Sequence, residues 1–246
     1  MDYHRPVPPQ ELRRIAQTFG VLYLITFATS IPALWLYQPV LDDPAGYIAG
    51  AGHDTRILLG AFLELLLIIA NIGTAVVVYP LLKRVSEICA LGYVTARLVE
   101  STFILVGILT MVTVVTLQRN PSVGTEATLG SIAYALAAMK DWTFLLGPGF
   151  VVGVGNGLLL GYLMYRSELV PRRMAILGLI GGPLIIITGI AAMFGLIQAG
   201  GPVQGIATAP EFVWELLLGI YPLIWGFKTA PILRGDAGAR PAPYAV

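Results

Sequence analysis

Charge is scarce in this chain. Lysine, arginine, aspartate and glutamate make up 12% of its 246 residues, about half the share of a typical soluble domain. Cysteine is rarer still: Cys89 is alone, which excludes an internal disulfide framework and any paired-cysteine metal or redox motif. A lone thiol among apolar residues reads as a small core residue. The two histidines, His4 and His53, both lie outside the apolar runs, and neither H-E-x-x-H nor G-x-S-x-G occurs, so zinc chemistry and a serine nucleophile find no support. A net charge of +1 supplies no basic stripe for nucleic acid. The run Gly153-Val154-Gly155-Asn156-Gly157 lacks both the G-x-G-x-x-G spacing and the preceding strand of a dinucleotide fingerprint. No catalytic constellation, metal, cofactor or nucleic-acid partner is expected.

What the chain has in abundance is apolar sequence, at 57% of its residues. Six stretches approach the ~20 residues that a helix needs to cross a bilayer: 15–37, 57–82, 88–117, 142–165, 174–197 and 207–227, the last being the shortest. Turn residues punctuate them: Asp42-Asp43-Pro44, Gly50-Ala51-Gly52, Asn120-Pro121, Pro171 and Gly200-Gly201-Pro202. The expected fold is therefore all-α, a polytopic six-helix bundle in contact with the lipid bilayer, with residues 1–246 forming a single transmembrane domain. The first stretch exceeds the 7–15 apolar residues of a signal peptide, contains Pro32 and ends without an A-x-A-like site, so it is expected to remain as a helix.

Basic residues give the bundle a direction, because they accumulate on the cytoplasmic side. Arg5, Arg13, Arg14, Lys83, Arg84, Arg166, Arg172, Arg173, Lys228, Arg234 and Arg240 fall in one set of alternating segments, and only Arg56, Arg119 and Lys140 in the other. Both termini are thus expected in the cytoplasm. On the opposite side, segment 125–139 repeats Leu129, Ile132, Leu136 and Met139 at helical spacing. It is either an interfacial helix or an extension of the fourth span. Trp35, Tyr37, Trp142, Trp214, Tyr221 and Trp225 lie toward span ends, where they read as interfacial anchors.

Small residues four apart let helices approach closely in lipid. Gly149, Gly153, Gly157 and Gly161 form such a ridge on the fourth span, expected to meet a neighbouring helix, a second copy of the chain or another membrane partner. The fifth span adds Gly178, Gly181, Gly182, Pro183 and Gly189, a pattern that permits a kink.

Against this background a few ionisable side chains stand out. Each costs about 2.5–3.5 kcal/mol at the bilayer centre on insertion scales and must pair or face water. At 1.5 Å per residue, Glu64 lies roughly 10 Å below the outer end of the second span and Glu100 roughly 12 Å below the outer surface. Arg97 is one turn from Glu100 on the same face, and Asn71 lies two turns below Glu64. Glu215 starts below the outer interface with Glu211 one turn above it. Depth thus suggests a polar seam of Glu64, Asn71, Arg97, Glu100 and Glu215, with His53, Asp54 and Arg56 at its outer mouth. His53 itself reads as a solvated or N-capping residue.

One role for this seam is packing, with Arg97 neutralising Glu100 or Glu64 in a structural or partner-binding protein. A second is passage or sensing of a small solute or proton, for which one paired and one free carboxylate are suited. A lipid-modifying enzyme is a third. No inverted repeat is detectable to favour a transporter.

The stretches RIAQTFGVLYLITFATSIPALWLYQPVL (14–41), AGHDTRILLGAFLELLLIIANIGTAVVVYPLLKR (51–84) and ALGYVTARLVESTFILVGIL (90–109) carry Glu64 with Asn71-Ile72-Gly73, and Arg97 with Glu100. In these the chain resembles a bacterial membrane-protein family known as domain of unknown function 4386, over nearly its whole length. The resemblance implies a multi-pass inner-membrane protein and brings no reaction with it.

Overall fold

A computed structural model describes residues 6–50, 53–120, 122, 124–229 and 233. Among them every long element is helical: α1 (Pro9–Asp42), α2 (Pro44–Ala49), α3 (Asp54–Leu82), α4 (Glu87–Arg119), α5 (Glu126–Leu146), two π-helical stretches (Gly147–Val151 and Gly153–Leu160), α6 (Gly161–Ser167), α7 (Arg172–Met193) and α8 (Pro202–Trp225). Five helical runs are long and apolar enough to cross a membrane, Glu126–Ser167 counting as one. The 24-residue α8 falls short in apolarity because Glu211 and Glu215 sit in its middle.

The inward stripes follow helical periodicity. On α3 they run through Ile57, Ala61, Glu64, Leu67, Asn71, Thr74 and Val78; on α4 through Tyr93, Arg97, Glu100, Ile104, Met111 and Val114. Spacings of three and four put these side chains on one face, so the ionisable residues occupy the buried stripe. Ile69, Val76, Leu109 and Ile187 point outward and stay more than half exposed, as suits a surface solvated by lipid. Local chemistry sets the ends. Ser86 Oγ accepts from Cys89 N–H at the start of α4, and Thr125 Oγ1 accepts from Thr128 N–H at the start of α5, satisfying donors that a helix leaves free. Glu168 takes a left-handed φ of 57° at the end of α6, turning the chain toward Pro171 and α7.

Packing is layered along the bundle. α1 lies along α3, α3 along α4, and α7 along α8, while α8 returns to α1. One end is an apolar cluster of Phe19, Val78, Leu82, Leu163, Leu169 and Phe227, among others. The other gathers Tyr37, Val40, Ile57, Met111, Val114 and Ala133. The buried charged side chains sit between these two apolar layers. Arg13, Arg14, Lys83, Arg84, Arg166, Arg172, Arg173 and Lys228 fall on helix ends around the first cluster, where Lys228 N–H also donates to the Leu169 carbonyl at 2.9 Å. Arg5, Arg234, Arg240, His4 and the turn positions Ala51, Gly52 and Pro121 lie outside the described residues.

The structure revises several sequence expectations. Of the two readings of segment 125–139, the helix takes the extension: α5 begins at Glu126, continuous with the fourth apolar run, so it starts well before residue 142. Helix α7 stops at Met193, short of 197. The Asp42–Pro44 turn starts a short helix, α2, with Asp43 accepting from Gly46 N–H and Pro44 in its first turn, where a missing N–H costs nothing. Tyr37 and Trp214 are fully buried, so they are core residues and not interfacial anchors. Trp35 remains exposed at an end and stacks under Arg56, whose guanidinium carbon lies 4.5 Å from the ring centroid.

Candidate functional site

Glu64 extends from the buried stripe of α3 and is enclosed on two sides. Lys140 Nζ on α5 donates to its two carboxylate oxygens at 2.6 and 2.8 Å, and Tyr37 Oη on α1 donates at 2.9 Å. The same ammonium lies 4.8 Å from the Tyr37 ring centroid, where the negative face of the ring adds cation–π attraction. Lys140 is therefore a buried counterion and not an outer-loop charge. Leu129, Ala133, Ala137, Lys140 and Thr143 form the buried stripe of α5. That spacing, carried into the apolar run, was the signal that could have found it.

Arg97 and Glu100, one turn apart on α4, form a 2.8 Å ion pair. Asn71 Nδ2 donates to the other Glu100 oxygen at 2.9 Å. The Arg97 guanidinium also lies 5.2 Å from the Tyr23 ring and 5.9 Å from Tyr93. Asn71, Arg97 and Glu100 are thus brought into one cluster, while Glu64 belongs to Lys140.

A third group rises from the π-helical segment. Asn156 Nδ2 donates to Glu215 Oε1 on α8, Asn156 Oδ1 accepts from Tyr23 Oη at 3.3 Å, and its backbone carbonyl accepts from Trp214 Nε1 at 3.1 Å. Asn156 is fully buried and holds α8 to α1 through both ends of its amide. Winding with i→i+5 bonds is rare and recurs at functional sites. It has no signature in a glycine-rich run, so Asn156 was not separable from its glycine neighbours by sequence.

Those glycines are filled positions of the core. A Cβ on Gly153 would lie 2.7 Å from the Gly182 carbonyl, and one on Gly182 would lie 2.6 Å from the Gly153 carbonyl. Gly161 meets Leu179 of α7, and Gly149 lies near Gly189. The ridge therefore faces α7 of the same chain. On another side, Gly155 meets Ala96 and Gly147 meets Phe103, both of α4.

Members of all three groups line one cavity of about 280 Å³, namely Glu64, Asn71, Arg97, Glu100 and Glu215, together with Glu211, the hydroxyl residues Thr26, Ser30 and Thr208, and apolar residues. Glu211 has 2% of its surface exposed. Its Oε2 lies over Gly157 and Gly181, and no described donor reaches either oxygen. Arg97 Nε and Ser101 Oγ are likewise without a described partner. A second cavity of about 660 Å³ shares Phe144, Pro148, Ile185, Thr208 and Phe212 with the first and continues to Gly200 and Gln204 at the α7–α8 turn.

His53, Asp54 and Arg56 are not among the described lining of either cavity. His53 occupies the N-cap of α3 without a side-chain capping bond; its carbonyl accepts from Arg56 and Ile57 N–H instead. Asp54 accepts from Arg119 Nε and Tyr47 Oη, each at 2.7 Å, and Arg56 donates to the Trp35 carbonyl at 2.7 Å. Partial burial, with the bond to Asp54 second, pushes the Tyr47 phenol well above its ordinary pKa. Asp54 thus ties α3 to α2 and α4 at the bundle end, and Arg56 ties it to α1. No three described His, Cys, Asp or Glu side chains come together as a metal site would need.

An all-helical chain with five runs fit to cross a membrane, apolar outer faces, and charges kept to helix ends and one internal layer has the build of a helical membrane protein. The chain belongs to the family described as Domain of unknown function (DUF4386), whose model matches residues 18–226. No curated protein and no solved structure matches it.

Proposed function

We propose that this is a six-span protein of the bacterial inner membrane, with α8 as the sixth span and both termini cytoplasmic, that binds and passes or senses a proton or a small solute exchanged for it. Glu211 carries this reading: a residue of the cavity lining whose carboxylate, buried over Gly157 and Gly181, has no described donor. Burying an uncompensated carboxylate is costly, and such groups in membrane helices mark proton and ion pathways. The charges facing it are Glu215 on its own helix, Arg97 and Glu100 on α4, and the Glu64–Lys140 pair from α3 and α5. The adjoining cavity toward Gly200 supplies an approach from the outer end.

The test is proton flux into proteoliposomes loaded with a pH-sensitive dye, after an external pH step. The wild type should exceed empty vesicles, Glu211→Gln should fall to the empty-vesicle rate, and Glu168→Gln, at an exposed surface pair with Arg172, should match wild type. Wild-type flux no faster than empty vesicles, or full flux in Glu211→Gln, overturns the reading.

A packing role suits the remaining charges. Glu64 has three donor contacts from two side chains, and Arg97 and Asn71 each donate to one oxygen of Glu100, linking α3 and α4. Buried pairs of this kind fix which helix faces meet.

A further inference from the structure

We infer that the cavity takes a single-chain amphiphile with a hydroxyl head, which enters from the lipid side between α1 and α8 and sets its head between Arg97 and Glu215. This rests on α8 spanning the bilayer, as proposed above, and not on proton movement at Glu211.

The opening follows from how the two helices cross. α1 and α8 meet closely at Gly20 and Gly219, where a Cβ on Gly20 would lie 2.6 Å from the Gly219 carbonyl. Glu215 stands one turn along α8 from that crossing. Farther along, the helices line the cavity with Ser30 and Ile31 on one side and Thr208 and Phe212 on the other. Ile31 is 54%, Phe212 45% and Phe144 42% exposed, so the cavity opens between these side chains onto the outer surface of the bundle. In a bilayer that surface meets acyl chains, and a molecule arriving through it brings an apolar tail. Phe27 and Phe212 meet edge to face at 5.1 Å and narrow the end nearer the crossing, which directs the tail past Ile31 and Phe144.

Two open polar atoms then select the head. Glu215 is partly exposed. Asn156 donates to its Oε1, while its Oε2 has no described donor and is not among the sealed atoms. Arg97 Nη1 serves Glu100, while its Nη2 has no described acceptor and is likewise not sealed. Both residues line the cavity. The Arg97 charge acts on Glu215, yet no ion pair joins them among the described residues, so the two groups are near without touching. An ammonium only donates and a carboxylate only accepts, whereas a hydroxyl accepts from the guanidinium and donates to the carboxylate at once. Bonds to charged partners of this kind are the stronger ones. Ser30, on the same lining and without a described hydrogen bond, offers the head a further hydroxyl partner. The volume of about 280 Å³ lies at the small end for a ligand site, enough for a head and the first carbons of its chain.

The experiment is photolabelling of the full chain in lipid nanodiscs with a monoacylglycerol carrying a diazirine on its chain, the labelled peptides being read by mass spectrometry. Saturable labelling is expected in 27–34 and 208–215. Unlabelled monolauroylglycerol should displace it, and dodecylammonium or dodecanoate should do so at least tenfold less well. Glu215→Gln and Ser30→Ala should each weaken the labelling several-fold, and Glu168→Gln should leave it unchanged. Should Glu215→Gln not fold, Ser30→Ala decides. Labelling that does not saturate, equal displacement by either charged competitor, or undiminished labelling in the cavity variants overturns the proposal. A diazirine phospholipid that leaves the exposed Val213 and Ile224 unlabelled removes the sixth span and this inference with it. Labelling there without saturable labelling of the cavity removes this inference alone. Cavity labelling without proton flux keeps this site and removes the Glu211 pathway.

Discussion

Two carboxylates on the same cavity have opposite surroundings. Glu64, on α3, is held by an ammonium from α5 and a phenol from α1, all in regular α-helix. Glu211 has no described donor and stands where Gly157 and Gly181 leave room for it, against a π-wound segment. A chain that can seal one buried carboxylate so fully has the means to seal another. On the proposed reading, the unpartnered carboxylate of Glu211 belongs to an exchangeable partner, which would divide the internal charges into a fixed set and a working one.

That contrast can be broken most severely at the cradle. Gly157→Leu drives a side chain into the Gly182 backbone; we expect no monodisperse folded protein on size exclusion, and a melting curve like wild type would refute the close α7 contact. Next, Lys140→Met leaves Glu64 buried without its cation and should destabilise by about 3–5 kcal/mol in denaturant titration, whereas the double variant Glu64→Gln/Lys140→Met should recover much of the loss. A double variant no more stable than the single would show that the two groups are not coupled. Tyr37→Phe removes one hydrogen bond to a charged acceptor and should cost about 1.5–3 kcal/mol, measured the same way. Glu211→Gln has the smallest effect: with no described partner to lose, it should shift stability by no more than about 1 kcal/mol. A large destabilisation there would place Glu211 with the packing charges. Glu64→Gln alone is a poor probe of function, because it strands the Lys140 ammonium.

Much of this was legible in the sequence, for a definite reason. Glu64, Asn71, Arg97 and Glu100 interrupt long apolar runs, and helical rise alone brings Asn71 near Arg97 and Glu100 in depth. Their actual pairing was less accessible. Lys140 stands next to Asp141 at the polar edge of an apolar run, so it reads as a loop charge until the stripe Leu129–Ala133–Ala137 is carried through it. Tyr37 and Trp214 looked like interfacial anchors because aromatic rings suit both a headgroup region and a core, and only tertiary packing separates the two. The π-helical winding of 147–160 depends on hydrogen-bond register, which residue type does not encode, and with it the role of Asn156 stayed hidden.

The isolation of Glu211 also has an electrical consequence. The Glu64–Lys140 pair carries no net charge, so a membrane potential exerts little force on it. With α8 as the proposed sixth span, a lone carboxylate on it would be different: loading a cation onto it from one face would move charge through part of the transmembrane field, worth about 2.3 kcal/mol per elementary charge for a full crossing at 100 mV. Occupancy at Glu211 should therefore follow voltage as well as concentration, in a proportion fixed by how deep along α8 the residue stands.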